Sequence, residues 1–96
     1  MKPSVALAAH RAALRQLVTQ YNLTSPRIFG SVVTGTDTDE SDLDLLVEPS
    51  DSTTLLTIAG LQIDAETLLG VTVDVLTPNG LPQKIRDKIL LQAEPL

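Results

Sequence analysis

Apolar and polar positions follow two different periods along this chain, and the switches between them divide it into elements. From Ser4 to about Gln20, Leu7, Leu14, Leu17 and Val18, with Tyr21 just beyond, recur at helical spacing, while Arg11 and Arg15 fall outside the stripe. Ser4 is placed to cap this helix, with Pro3 just outside it, and the alanines add helix propensity without bulk. Asn22 and Ser25-Pro26 predict a loop, and Arg27-Ile28-Phe29 a short strand ending at Gly30. Ser31-Val32-Val33-Thr34 is expected to form a short helix or turn ending near Gly35, although its β-branched residues taken alone favour strand. A polar connection from Thr36 to Ser41 leads to a second strand, Asp42 to Val47, which Pro49-Ser50 ends.

A longer helix, capped by Asp51 or Ser52, is predicted to run to about Leu69. Leu55, Ile58, Ala59 and Ile63 are its expected buried side, closed by Leu68 and Leu69. Gly60 weakens its interior by about 1 kcal/mol, and Gly70 is a natural C-terminal cap. Val71 to Leu76 predicts a third strand, followed by a turn at Pro78-Asn79-Gly80. Pro82 suits the first turn of a last helix with Ile85 and Ile89 inward and Lys84 and Lys88 outward, and Glu94-Pro95-Leu96 reads as a loose end or a short edge strand. The order helix, strand, turn, strand, helix, strand, helix predicts an α/β (α+β) fold, a small mixed sheet covered by helices.

Composition narrows the class. Ninety-six residues make one domain, 1–96, and Tyr21 and Phe29 are the only aromatics, so aliphatic side chains must fill the core. The absence of cysteine excludes disulfides and thiolate metal sites, and a single histidine, His10, excludes a histidine-rich zinc site. No run approaches the roughly 20 apolar residues of a membrane span, and the N-terminus lacks an apolar secretory segment, so a cytoplasmic protein is expected. Twelve acidic residues against seven basic ones argue against a surface that tracks nucleic-acid phosphates. Asp37, Asp39, Glu40, Asp42, Asp44, Glu48 and Asp51 crowd into one stretch. Asp37, Asp39 and Glu40 read as a solvated loop. Asp42 and Asp44 differ, because Leu43, Leu45, Leu46 and Val47 draw them toward a core element.

Residues two apart on a strand point to one face, roughly 7 Å apart by backbone rise. Carboxylates so placed can converge on a divalent cation, and magnesium prefers hard oxygen ligands of this kind. Asp74 sits between Val73 and Val75, where a carboxylate needs a cation, a donor or solvent. If the second and third strands are neighbours, Asp74 joins the other two. A solvent-facing strand start, or capping of the turn after Ser41, accounts for each aspartate singly but less well for all three with the upstream Gly-Ser. Gly30 permits close approach of backbone to ligand, Ser31 can donate its hydroxyl to a phosphate, and Gly35 closes the turn without an obstructing side chain. Neither a P-loop nor a dinucleotide fingerprint is present.

The run Gly30-Ser31, Gly35, Ser41-Asp42, Asp44-Leu45 resembles the signature of the minimal nucleotidyltransferases, relatives of the polymerase-beta-like catalytic domain. Leu69-Gly70 with Val73-Asp74 is similar to the segment carrying that family's third carboxylate, and Leu81-Pro82 to Leu90 to its C-terminal helix. The resemblance implies the polymerase-beta-like fold. It implies that Gly30 and Ser31, with Gly35 and Ser41, hold an incoming nucleoside triphosphate, ATP. Asp42, Asp44 and Asp74 would be the catalytic carboxylates and the ligands of two Mg2+ ions, with Asp74 helping to activate the acceptor hydroxyl. It further implies an antitoxin that attaches AMP to a hydroxyl, expected to be a tyrosine, of a partner HEPN-domain toxin held in a hetero-oligomer. One position departs from the pattern: Thr34 stands where the family usually has an Arg before the second glycine, and Thr cannot supply that charge. An antitoxin that neutralises by binding alone is therefore a second expectation, and a structural subunit of another nucleotide enzyme a third. Nucleic-acid tailing is disfavoured, since no basic aromatic surface is present to hold a primer.

Overall fold

The computed structural model describes all residues, 1–96. Its elements run α1 (Pro3–Gln20), β1 (Thr24–Phe29), α2 (Ser31–Thr34), β2 (Leu43–Glu48), α3 (Leu55–Leu69), β3 (Val73–Leu76), a 3-10 turn at Pro78–Gly80, α4 (Gln83–Gln92) and β4 (Glu94–Pro95). The four strands form one sheet in the order β3-β2-β1-β4. β1 pairs antiparallel with β2 and with β4, whereas β2 and β3 are parallel, joined by the crossover through α3. The sheet is thus mixed, as the alternation of elements predicts. No helix is long and apolar enough to cross a membrane.

The main core lies on one face of the sheet. Leu43, Leu45 and Val47 of β2, Val73 and Val75 of β3, and Ile28 of β1 meet Leu14 and Val18 of α1 and Leu61, Ala65 and Leu69 of α3. The opposite face carries a smaller cluster of Phe29, Leu46 and Leu81, against which Leu76, Ile89 and Leu90 pack. The period of two along β2 explains both faces: Leu43, Leu45 and Val47 go one way, Asp44, Leu46 and Glu48 the other.

Several boundaries and faces differ from the sequence expectation. α1 starts at Pro3, with Lys2 as its cap residue and no side-chain cap; the Ser4 amide instead donates to Asp37 Oδ2 at 2.9 Å. Asp37 therefore anchors the polar connection to α1, and that bond holds its carboxyl below the usual range. Asp39 lies 3.6 Å from the Met1 amine, so the acidic connection is tied at two points. Arg11 and Arg15 lie outside the apolar stripe as expected, yet both reach the Leu96 carbonyl, at 2.9 and 2.7 Å.

The cap of α3 is Thr54, in a reciprocal box with Thr57, not Asp51 or Ser52. Its buried face is Leu61, Ala65 and Leu69, while Leu55 and Ile63 are 88% and 62% exposed and Ala59 is exposed as well. Apolar residues occur on every side of this helix, so its periodicity is ambiguous, and the direction of the sheet decides which stripe is covered. Gly60 has a packing reason: a Cβ there would stand 3.0 Å from the Tyr21 ring, whose hydroxyl donates to Asp64. On α4, Ile89 is half-buried but Ile85 is 43% exposed, because the helix covers only part of its sheet face. The chain end forms the edge strand β4, with Leu96 buried.

Candidate active site

The site is assembled at the starts of the two parallel strands. Register pairs Asp44 of β2 with Asp74 of β3, and β1 ends opposite them, with Phe29 beside Asp44. Neighbouring strands lie about 4.8 Å apart, so the two aspartates leave adjacent backbones on the same face. Asp42 precedes β2 by one residue, two positions before Asp44. The condition set by the sequence, that the second and third strands be neighbours, is met.

Electrostatics show that the three carboxylates share one region. Burial, then the charges of Asp74 and Asp42, push the Asp44 carboxyl up to about 6. Asp74 is raised in the same direction, by burial first and then by Asp42 and Glu66. Neither ion pair of the molecule reaches them: these are Met1 with Asp39 and Arg27 with Glu48. Three carboxylates that influence one another's charge, none of them in an ion pair, offer hard, anionic oxygen donors of the kind that suit a divalent cation such as magnesium. The side chains do not close into a ready-made cage of three metal-ligating groups. Mutual repulsion disfavours such a cage for unscreened carboxylates, and a magnesium ion needs only one or two of them alongside waters and substrate phosphates.

Gly30 is the most constrained of the predicted residues. It has a φ of 77°, and a Cβ there would collide with Asp44 Oδ2 and stand 3.1 Å from Asp44 Cγ. The glycine thus serves both the turn and the close approach of the carboxylate. Its amide donates to Gln92 Oε1 at 3.3 Å, a tether from the end of α4 that sequence reasoning missed. Ser31 opens α2 and is half-buried beside this turn. Gly35 ends α2 in the left-handed conformation, at a φ of 74°, with open space where a Cβ would go. Ser41 lies one residue before Asp42, but its hydroxyl accepts from the Thr38 amide at 2.8 Å, which organises the polar connection.

Thr34, at the departing position, is exposed and bonds locally, to Thr36 Oγ1 at 2.9 Å and to the Gly30 and Ser31 carbonyls at 3.3 Å. Arg27 offers no replacement charge, since its guanidinium is held by Glu48 at 2.7 Å. The carboxylates lie on the sheet face that α4 covers only in part, with Asp44 half-buried and Asp42 and Asp74 exposed. A depression of about 510 Å³ nearby includes Ser41 and Glu66 but none of the three aspartates. The candidate site is therefore marked by register and charge and not by shape.

The family model for the nucleotidyltransferase domain matches residues 8–94. A provisionally named protein adenylyltransferase of Methanocaldococcus jannaschii is 39% identical over 66 residues, 69% of this chain and 71% of that protein. Protein adenylyltransferase MntA of Thermococcus cleftensis is 32% identical over 84 residues, 88% of this chain and 82% of that protein. A solved chain provisionally described as a minimal nucleotidyltransferase superposes with a TM-score of 0.87 at 40% identity, covering 100% of this chain and 97% of its own. A toxin-antitoxin structure with AMP-PNP shares the fold at a TM-score of 0.72 and 21% identity, over 83% of this chain and 66% of that one.

Proposed function

The chain belongs to the nucleotidyltransferase domain family, and from that premise we propose that it is the antitoxin of a toxin-antitoxin pair. In this reading residues 1–96 act as one catalytic domain in the cytoplasm and, with Mg2+, transfer AMP from ATP to a hydroxyl, a tyrosine, of a partner HEPN toxin. The names of relatives support a protein acceptor and a toxin partner: two are named protein adenylyltransferases, and the shared fold recurs in MntA-HepT toxin-antitoxin complexes. The register that sets Asp44 against Asp74, with Asp42 two residues away, carries the chemical part of the reading.

In the proposed reaction the acceptor oxygen attacks the α-phosphorus in line. A new P–O ester bond forms, the bond to the bridging oxygen breaks, and pyrophosphate leaves. The hydroxyl proton passes to a carboxylate oxygen of Asp74, which stands in register beside Asp44. Asp42 and Asp44, with Asp74, are the groups that would hold magnesium, which supplies charge stabilisation at the entering and leaving oxygens. Gly30, Ser31 and Gly35 shape the turn proposed to receive the triphosphate, and Ser41 fixes the connection leading into Asp42. The chemistry is mainly positioning and electrostatics, which a domain this small can supply. An open site is also compatible with an acceptor on another protein.

The test is incubation with labelled ATP, Mg2+ and the co-encoded toxin. Label should move to the toxin, and Asp44→Asn should stop it without unfolding the protein. A toxin that stays unlabelled while the chain binds metal would refute the transfer. The second reading, neutralisation by binding alone, has one observation in its favour: Thr34 bonds only to its neighbours and Arg27 is already paired. It predicts that Asp44→Asn still neutralises the toxin.

A further inference from the structure

β3 is an edge strand, and its outward amides are claimed by side chains of α3. Val73 N–H donates to Glu66 Oε2 at 3.0 Å, and Val75 N–H donates to Gln62 Oε1 at 3.4 Å. These are the residues immediately before and after Asp74. β2 takes the other side of the ladder, with the Leu43 amide bonded to the Thr72 carbonyl at 2.9 Å. The match is geometric. Side chains four apart on a helix are separated by about 6 Å of rise, and strand residues two apart by about 6.6 Å. An α3 running antiparallel to β3 can therefore place Gln62 and Glu66 against two successive outward amides, with the turn through Gly70 bringing the two elements together.

Blunting an exposed edge is the ordinary use of such bonds. Here the bracketed residue gives them a second consequence. Asp74 stands on a strand of only four residues, at the rim of the sheet, and is itself exposed. Only one neighbouring strand holds it. Without the helix side chains, that strand could fray or slip, and the Asp44–Asp74 juxtaposition depends on its register.

We infer that Glu66 and Gln62 are positioning residues of the candidate active site, clamping the amides on either side of Asp74 so that its carboxylate stays opposite Asp44. The inference rests on the reading of Asp74 as part of the metal-binding trio. Both act through the β3 backbone, and Glu66 also bears on Asp74 through its charge, which is why the Glu66→Gln variant is needed to separate the two effects.

Mn2+ binding measured by electron paramagnetic resonance, on the whole chain without nucleotide, tests this. Glu66→Ala should weaken Mn2+ binding about ten-fold, the lower end of the range for groups that orient metal ligands. Glu66→Gln, which keeps an acceptor oxygen at the same place, should restore it to within about two-fold of the parent. In an Asp74→Asn background, Glu66→Ala should have no further effect, because the two act through one ligand. Full additivity of the two substitutions, or unchanged affinity in Glu66→Ala, overturns the inference while leaving the metal site standing. Unchanged affinity in Asp74→Asn overturns the reading of Asp74 as a ligand and the positioning role with it. Amide hydrogen exchange provides a metal-free arm: Val73 should exchange faster in Glu66→Ala and return to the parent rate in Glu66→Gln. Equal rates in all three proteins would show that no clamp exists.

Discussion

The two faces of the sheet are made by the same strands and obey opposite rules. On one, Leu43, Leu45, Val47, Val73 and Val75 are buried under α1 and α3 in a continuous aliphatic core. On the other, Asp44, Leu46, Glu48, Asp74 and Leu76 alternate with them, and Leu46 alone of these five is fully buried. The first face stabilises the fold; the second carries carboxylates that burial and mutual repulsion make unfavourable as anions. One residue separates a core position from a position of the proposed site, so the packing of one face also fixes the backbone that carries the carboxylates of the other. A site on packed strands is also more closely positioned than one on a loop.

The sharpest way to break this comparison is to change one residue on each face. Asp44→Asn should lower nucleotidyl transfer by on the order of 10³-fold, comparable to losing a principal transition-state contact, with circular dichroism unchanged. Retained activity would place the chemistry elsewhere. Its neighbour Leu45 has no exposed surface, and Leu45→Ala should cost about 3 kcal/mol of stability in urea unfolding. If the two variants lost stability equally, the division between faces would fail.

Gly30→Ala probes where the faces are joined. Holding a side chain at a φ of 77° costs about 1–3 kcal/mol, and the new Cβ would also displace Asp44. Expected outcomes are a lower Tm together with weaker transfer; a loss of Tm alone would separate the turn from the carboxylate.

A smaller effect concerns pH. The Asp44 carboxyl binds its proton more tightly in the folded chain, at about 6, than its ordinary value of 3.8. Between those values the folded state holds more protons than the unfolded one, so this group's contribution is fully present below about 3.8 and is lost as pH rises through about 6. That difference corresponds to about 3 kcal/mol, and solvent screening of a half-exposed carboxylate lowers this to the order of 1 kcal/mol. In EDTA at pH 7, Asp44→Asn should therefore raise Tm, while at pH 3 the gain should vanish. A variant that melts lower at pH 7 would contradict the assignment of burial and repulsion as the cause.

The smallest effect is expected at Thr34, whose side chain is exposed and bonded only within its own turn. Thr34→Arg should lower the KM for ATP by roughly five-fold, the size of one exposed charge-assisted contact. No change would mean that this turn does not face the triphosphate.

Legibility in the sequence differed by element for physical reasons. β2 could be read because an apolar run, Leu43 to Val47 interrupted only by Asp44, is ended by Pro49, and α2 because two glycines bracket four residues. Both have local causes. The buried stripe of α3 could not be read, since Leu55, Ile58, Leu61, Ile63, Ala65 and Leu69 offer several apolar stripes and only the sheet selects among them. Asp37 looked like one more solvated acid because its partner, the Ser4 amide, lies 33 residues away. Glu66, Gln62 and Gln92 carried no signal, as a polar residue on a helix is ordinary until a strand or turn amide is found opposite it.

By itself the amino-acid sequence determined the inventory: a Gly-Ser turn, two aspartates spaced two apart at the head of an apolar strand, and a third between valines, since spacing along one strand is covalent geometry. The pairing of β2 with β3, the Asp44–Asp74 register, the stripe of α3 that is buried and the side chains that grip β3 were decided only by the tertiary structure. These depend on contacts between segments far apart in the chain, whose free energies favour one arrangement only when the whole core closes at once.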